Sequence, residues 1–212
     1  MPSDALANAK RGSARLRVAL FDLDHTLLPI DSDYEWGVFT TTIGWTDPLA
    51  FARRNDEFFA QYQAGTLDIH DYVRFATDAV RRQGAQAAAL AHAQFMQQVV
   101  LPALRPQALA LVRSHQASDA HVVIVTATNE FVTRPIADAF GVPDLIAVEL
   151  ARDNGPGGTG WITGDIAGVP SAREGKVVRF DQWLQAHGLS RDDVFVTFHS
   201  DSTKDLPLLE RA

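Results

Sequence analysis

The stretch Leu16-Arg17-Val18-Ala19-Leu20-Phe21, followed by Asp22-Leu23-Asp24-His25-Thr26, indicates the architecture of the chain. Its first six residues are mostly apolar and predict a short buried strand that ends at an acidic cluster. Two later segments repeat this arrangement, since residues 122–125 run into Thr126 and residues 194–198 run into a polar stretch that ends at Asp205. Apolar strands separated by helical patterns are typical of a parallel sheet covered on both faces, with ligands bound beyond the carboxyl ends of the strands. We therefore predict an α/β fold in which the three polar strand ends converge.

The composition supports a folded core and excludes several kinds of function. The chain has 212 residues, of which 46% are apolar and 21% are charged. Its 19 Lys and Arg against 26 Asp and Glu give a formal charge of −7, which leaves no basic face for nucleic-acid phosphates. The sequence has no Cys, so disulfides, thiolate nucleophiles and Cys-ligated metals are excluded, and oxygen or His ligands must hold any metal.

The amino-terminal segment and the apolar runs predict the location of the protein. Residues 1–17 carry four basic side chains, but the apolar run that follows is too short for a signal peptide. No other apolar run approaches the roughly 20 residues that a membrane helix needs. We therefore expect no membrane contact, no export and a cytoplasmic location.

Roughly 95 residues separate the first two strands, which is too long for one crossover connection. Helical patterns occupy residues 48–62, 67–83, 85–101 and 106–116. We predict that residues 1–28 and 105–212 form a Rossmann-like core and that residues 29–104 form an inserted helical cap. In the core we expect further helices over 130–140 and 174–186 and a strand over 145–150.

Residues 153–160 are rich in turn-forming residues and predict the turn of a hairpin. Gly155, Gly157 and Gly160 match the spacing of a dinucleotide-binding loop, but that loop must open a helix, and the residues that follow resemble a strand. We therefore do not expect dinucleotide binding.

Four carboxylates at the predicted strand ends indicate a metal site. Asp22 and Asp24 are two residues apart, and without a cation each would raise the pKa of the other. Asp201 and Asp205 supply further oxygen ligands of the kind that Mg²⁺ prefers. The alternative for each Asp is the ordinary one, that it caps a helix or forms a turn.

The constellation resembles a known family. Its four motifs are Phe21-Asp22-Leu23-Asp24-His25-Thr26-Leu27-Leu28, Val125-Thr126-Ala127-Thr128-Asn129, Arg173-Glu174-Gly175-Lys176-Val177 and Ser200-Asp201-Ser202-Thr203-Lys204-Asp205-Leu206-Pro207-Leu208-Leu209. In this order they are similar to the motifs of haloacid dehalogenase-like hydrolases, in particular the branch of phosphoserine phosphatase. The resemblance implies a Rossmann-like core with a helical cap between the first two motifs.

The resemblance also implies a role for each motif. Asp22 would be the nucleophile that forms an aspartyl-phosphate, and Asp24 would protonate the leaving alcohol and then activate water. Three further groups would bind the phosphoryl oxygens, namely Thr126, the neighbouring backbone at Ala127, and Lys176. Mg²⁺ would be held by the following groups: the Asp22 carboxylate, the Asp24 carbonyl and the Asp201 carboxylate, with Asp205 holding a ligating water.

These roles predict a Mg²⁺-dependent phosphomonoesterase whose partner is a small-molecule phosphate monoester. The same intermediate serves a phosphotransferase, and a phosphate-binding module without turnover is a further alternative. A haloacid dehalogenase is disfavoured, because that chemistry has no need of Asp24. The oligomeric state is left open.

Several side chains near the motifs have two interpretations. Glu35 follows the catalytic loop and could bind an amine on the substrate, or Tyr34 and Trp36 could simply pack inside an ordinary helix. Thr126 could cap the following helix, and Lys176 could be an exposed helical lysine.

Further expectations concern the loops around the site. We expect Thr26 to orient Asp24, and we do not expect His25 or His199 to bind metal. Lys204 stands where the family commonly has Asn, and we expect its charge in solvent or paired with nearby acids, with a pocket-facing ammonium as the alternative. The family usually has a further strand beyond Ala212, whose absence would leave an open sheet edge.

Overall fold

The computed structural model describes residues 15–212. The basic amino-terminal segment and the first part of the predicted core, residues 1–14, lie outside the described residues. The described chain begins at Arg15, one residue before the first predicted strand.

A four-stranded parallel sheet forms the centre of the molecule, in the order β3-β2-β1-β6. The strands are β1 Leu16–Phe21, β2 His121–Asn129, β3 Asp144–Val148 and β6 Val194–His199. Because all four strands run in the same direction, their carboxyl ends meet at one edge of the sheet. The predicted α/β class and the predicted convergence of β1, β2 and β6 are confirmed.

Successive residues of β1 enter two different apolar clusters, as strand alternation requires. Val18 and Leu20 pack with residues of α6 (Glu174–Ala186) and α7 (Leu206–Leu209). Ala19 and Phe21 pack on the opposite face with residues of α4 (Pro106–Ala117) and α5 (Glu130–Ala139). Both faces of the sheet are thus covered, which fixes the position of its polar edge.

Three helices lie between β1 and α4. They are α1 Ser32–Thr42, α2 Pro48–Ala64 and α3 Ile69–Phe95, and α3 continues through a π-helical turn, Met96–Val100, and a last turn, Leu101–Ala103. Asp side chains cap all three at their starts. The predicted break between two helices is present inside α3 as a backbone kink at Gly84, where φ is +78°. Among residues 15–212, no helix combines the length and the apolar content needed to cross a bilayer.

The apolar cluster on the Phe21 face continues into these helices. It includes Trp36 and Phe39 of α1 and Phe95 at the end of α3. The helices and this face of the sheet therefore share buried contacts, and the division into a core of 1–28 with 105–212 and a cap of 29–104 stays a prediction.

A small antiparallel hairpin stands beside the parallel sheet. Its strands are β4 Leu150–Arg152 and β5 Ile162–Ile166, and the predicted turn lies between them. The single strand expected over 145–150 is instead divided at Glu149, because Leu150 leaves the parallel sheet to pair with Ile166. A strand rather than a helix follows Gly160, as expected for a glycine pattern unrelated to dinucleotide binding.

Candidate active site

Lys176 joins two acidic strand ends at the polar edge of the sheet. It projects from the first turn of α6, and its Nζ donates to Asp22 Oδ1 at 2.9 Å and to Asp205 Oδ2 at 2.7 Å. Only 3% of the lysine side chain is exposed, so the alternative of an exposed helical lysine is wrong. Burial raises the pKa of the Asp22 carboxyl, and Lys176 partly opposes this increase.

The start of α6 is placed by close backbone packing. A Cβ on Gly175 would lie 1.9 Å from the carbonyl oxygen of Pro170, so this position has no room for a side chain. The neighbouring Ser171 is fully buried and donates to the Thr126 carbonyl oxygen at 2.6 Å. These contacts fix the base of the Lys176 side chain relative to the end of β2.

The Asp24 carboxyl is held by the first residue of α1 and by the end of β2. Its Oδ1 accepts from the Ser32 N–H at 2.8 Å, and its Oδ2 accepts from Thr128 Oγ1 at 2.8 Å. Burial raises the pKa of Asp24 to about 7, and the charge of Asp31 contributes to the increase. Burial is the main cause of the pKa increase at both Asp22 and Asp24, and the carboxylates that add to it are Asp205 and Asp31, respectively, rather than each other as expected.

Thr26 links the loop after β1 to the loop after β6. Its Oγ1 donates to Asp201 Oδ1 at 2.7 Å and accepts from the Asp201 N–H at 3.1 Å. The prediction that Thr26 orients Asp24 is therefore wrong, and its hydroxyl positions Asp201 instead. The Asp22 N–H also donates to the His199 carbonyl oxygen at 2.9 Å, which holds the ends of β1 and β6 together.

Thr126 is buried near the end of β2, beside an exposed Ala127. Its Oγ1 accepts from the Thr128 N–H at 3.2 Å. The following helix is capped by Asn129, whose side chain accepts from the Val132 N–H, so the interpretation of Thr126 as a helix cap is wrong.

The possible metal ligands do not form a compact cluster of side chains. Within residues 15–212, no group of three or more His, Asp and Glu side chains is close enough to hold an ion. Asp205 Oδ2 is engaged by Lys176 and by Ser200 Oγ, each at 2.7 Å. His199 stacks on Phe21 with ring centroids 4.6 Å apart. Asp22 and the exposed Asp201 are the remaining carboxylates, at the ends of β1 and β6.

The first turn of α1 agrees in part with the ordinary-helix interpretation, and the binding of an amine by Glu35 stays a prediction. Trp36 is 1% exposed and packs inside, whereas Tyr34 is 44% exposed. Asp31, the cap of α1, is the acid whose charge acts on Asp24. Glu35 is half-buried, and its side chain forms no hydrogen bond or ion pair with residues 15–212. Asp33 is buried and accepts from Asn129 Nδ2 at 3.1 Å.

Lys204 also differs from expectation. Its ammonium lies 2.7 Å from the centroid of the Tyr62 ring, so it is neither in open solvent nor paired with an acid. Tyr62 belongs to α2, which precedes Lys204 by more than a hundred residues. No local pattern connects the two positions.

Several partners of the site residues were not found from the sequence. Four of them donate to carboxylates and Ser171 donates to the Thr126 carbonyl oxygen, and the five are Ser32, Thr128, Asn129, Ser171 and Ser200. Thr128 and Ser200 lie within the quoted motifs, so their position at strand ends was an available signal. Ser32 and Ser171 have no such signal, because their contacts depend on the long connections.

Comparison with known proteins identifies the family. A family model described as haloacid dehalogenase-like hydrolase matches residues 19–210, a span that contains all four motifs. Histidinol-phosphatase from Neisseria meningitidis serogroup C (strain 8013) is 35% identical over 193 residues, covering 91% of this chain and 85% of that protein. The family predicted from the motifs is confirmed.

Solved structures share the fold. A protein with unknown function from Bordetella pertussis Tohama I has 45% sequence identity and a TM-score of 0.85, covering 93% of this chain and 87% of that chain. A substrate-bound phosphoserine phosphatase complex has 14% identity and a TM-score of 0.59, covering 94% of this chain and 84% of that chain. The second likeness concerns the fold alone and agrees with a Rossmann-like parallel sheet.

Proposed function

This chain belongs to the haloacid dehalogenase-like hydrolases and is an enzyme of the phosphatase type, and we propose that it hydrolyses small-molecule phosphate monoesters with Mg²⁺. One observation carries the proposal. Asp22, Thr126 and Lys176 come from three different elements and lie at one edge of the sheet, with the lysine ammonium bound to the Asp22 carboxylate. A buried cation beside a strand-end carboxylate suits a phosphoryl group that is attacked by that carboxylate.

The proposed reaction has two displacements. An Asp22 carboxylate oxygen attacks phosphorus, the bond from phosphorus to the ester oxygen breaks, and the leaving oxygen takes the Asp24 proton. In the second step Asp24 accepts a proton from water, and the water oxygen attacks phosphorus to release phosphate and restore Asp22. A pKa of about 7 allows Asp24 to be proton donor and acceptor near neutral pH.

Lys176, Thr126 and the backbone at Ala127 are proposed to hold the phosphoryl oxygens. The buried ammonium is held by two carboxylates, so its position is set before substrate arrives. Preorganised donors of this kind stabilise charge on the phosphoryl oxygens in the transition state.

The donor set fits Mg²⁺ in its chemistry. The available ligands are all oxygen atoms, which Mg²⁺ prefers. Burial raises the pKa of Asp22 because it disfavours the charged carboxylate, and a bound cation would offset this cost of burial. We propose that the Asp22 and Asp201 carboxylates and the Asp24 carbonyl hold the ion, with Asp205 supporting a ligating water. When bound, Mg²⁺ would neutralise charge on the phosphoryl oxygens.

Histidinol phosphate is the first substrate to test, because the relative from Neisseria meningitidis is a histidinol-phosphatase. Its amine would suit an acidic side chain at the start of α1. Asp31 is better placed for this than Glu35, because its charge acts on Asp24. The binding of the amine by Glu35 stays a prediction from the sequence. The cytoplasmic location also stays a prediction.

The test is a panel of phosphate monoesters that carry amine, acidic or neutral leaving groups, assayed with Mg²⁺ and with a chelator. We expect phosphate release that requires Mg²⁺, and retained substrate binding without turnover in Asp24→Asn. Adding an acceptor alcohol distinguishes phosphotransfer, which would give a new ester in place of free phosphate. If no ester released phosphate, a phosphate-binding module without turnover would be the remaining alternative.

A further inference from the structure

An aromatic ring of the helical insertion covers the ammonium of Lys204 beside the candidate active site. Lys204 Nζ lies 2.7 Å from the centroid of the Tyr62 ring. Tyr62 is near the carboxyl end of α2, and Lys204 follows β6 next to the buried Asp205.

The Lys204 ammonium has no negatively charged partner. No carboxylate of residues 15–212 lies within ion-pair distance of it, and the adjacent Asp205 is engaged by Lys176 and Ser200. Burial lowers the pKa of the Lys204 ammonium, and the charge of Arg173 lowers it further. The Lys204 ammonium therefore contacts an aromatic ring and is available to bind an anion.

Arg173 is a second cation of the same kind. Its backbone adopts a φ of +52°, a left-handed conformation that is costly for a side-chain-bearing residue and is often retained at functional positions. In the part of the chain that the structure describes, its exposed guanidinium has no hydrogen-bond or ion-pair partner. Lys204 and Arg173 are therefore two neighbouring cations that have no ion-pair partner among residues 15–212, and the charge of Arg173 acts on Lys204.

This pair of cations adjoins the hydrogen bonds of the proposed nucleophile, because Lys204 directly precedes Asp205, and Asp205 and Asp22 both accept from Lys176. Burial raises the pKa of the Tyr62 phenol, the charge of Arg173 opposes this, and the carboxylates of Asp205, Asp31 and Asp22 add to it. The flexible four-carbon stem of Lys204 gives its ammonium several rotamers, so the ring is not the one position that it can occupy.

We propose that Lys204 exchanges partners, with its ammonium on the Tyr62 ring when the site lacks phosphate and on the phosphoryl group when phosphate binds. The inference rests on the proposed function, since it requires phosphate at Asp22. A dianion attracts an ammonium more strongly than an aromatic quadrupole does, so phosphate takes the cation. Tyr62 and phosphate then compete for one side chain, and the ring lowers the apparent affinity for phosphate.

Competition predicts opposite effects for the two members of one contact. Tyr62→Leu removes the competing ring, and we expect it to tighten the binding of inorganic phosphate about threefold. Lys204→Met keeps the stem and removes the charge, and we expect it to weaken phosphate binding by threefold or more. Tyr62→Phe keeps the ring and is the matched control, with an affinity close to that of the unmodified protein.

Calorimetric titration of the full chain with inorganic phosphate, at fixed ionic strength and with Mg²⁺, measures these dissociation constants without turnover. The double variant should behave like Lys204→Met, because the ring has no effect once the ammonium is gone. Tyr62→Gln serves in place of Tyr62→Leu if the latter does not fold. If the Tyr62 and Lys204 variants changed the phosphate affinity in the same direction, or left it unchanged, the contact would be merely structural and the proposed exchange would be overturned. Absence of phosphate binding in the unmodified protein would overturn the proposed function as well.

Discussion

Lys176 is the residue on which the arrangement of the site depends. A buried ammonium is costly to desolvate, and this cost is offset only if its partners remain in place. Here the partners are Asp22 and Asp205, at 2.9 and 2.7 Å. Removing either carboxylate leaves the lysine with one counter-charge, so variants at these positions affect both chemistry and local stability.

Asp22→Asn tests the proposed nucleophile. The amide is neither a competent nucleophile nor an anionic metal ligand, so we expect kcat for phosphate release to fall at least tenfold, about 1.4 kcal/mol in activation free energy. Asp165→Asn is the control, because its exposed carboxylate pairs with Arg74 away from the site. If Asp22→Asn kept more than a tenth of kcat, covalent catalysis at this residue would be untenable.

Asp33 makes stability depend on pH. Burial raises its pKa to about 7 from an ordinary value of 3.8, and the charge of Asp31 contributes. Because the folded state binds this proton more tightly than the unfolded state, its stabilising contribution is fully present below about pH 4. That contribution is lost as the pH rises through about 7. The unfolding free energy therefore decreases with pH over this window by an amount of order 1.4 kcal/mol per unit.

Asp33→Asn should remove this dependence, because the amide is neutral at every pH and can still accept from Asn129. We expect the variant to be more stable than the unmodified protein at pH 8, with the difference shrinking by about 2 to 3 kcal/mol on going to pH 5. Denaturant unfolding at both pH values, with a chelator present, measures the difference. An equal difference at pH 5 and pH 8 would show that Asp33 does not titrate in this range.

At the scale of elements, the start of α6 determines where Lys176 lies. A methyl group at Gly175 would meet the Pro170 carbonyl oxygen, which belongs to the backbone and cannot rotate away. We expect Gly175→Ala to displace the first turn of α6, to lower the unfolding free energy by about 1 to 3 kcal/mol and to reduce kcat. Gly155→Ala is the control, since its Cβ would meet only Asp153 Oδ1 at 3.9 Å. Equal stability of the two variants would contradict the close packing.

The elements themselves were predictable where their cause is local. The apolar runs of β1, β2 and β6, the proline that opens α4 and the glycine kink of α3 all have signals within a few residues. Strand direction then predicts that Asp22, Thr126 and Asp205 meet. The contacts across long connections, such as Ser32 with Asp24 and Tyr62 with Lys204, could not be predicted, because no sequence spacing encodes them.

At the scale of the whole molecule, the site joins segments from across the chain. The loop after β1, the end of β2, the start of α6 and the loop after β6 meet there, and α1 and α2 approach from the insertion. A ligand that binds between these segments stabilises all of them together. Binding at the site should therefore be visible in the unfolding of the entire protein.

Phosphate with Mg²⁺ should raise the thermal midpoint of unfolding. At a ligand concentration a hundredfold above the dissociation constant, the stabilisation is about 2.7 kcal/mol. For a chain of this size the corresponding increase in Tm is about 5 to 10 °C. Asp201→Asn should lose the part of the increase that needs Mg²⁺ while keeping an oxygen acceptor for Thr26, and sulfate at equal ionic strength controls for general salt effects. Scanning calorimetry with Mg²⁺ and with a chelator gives the comparison, and an identical increase in both conditions would contradict a magnesium site at Asp22 and Asp201.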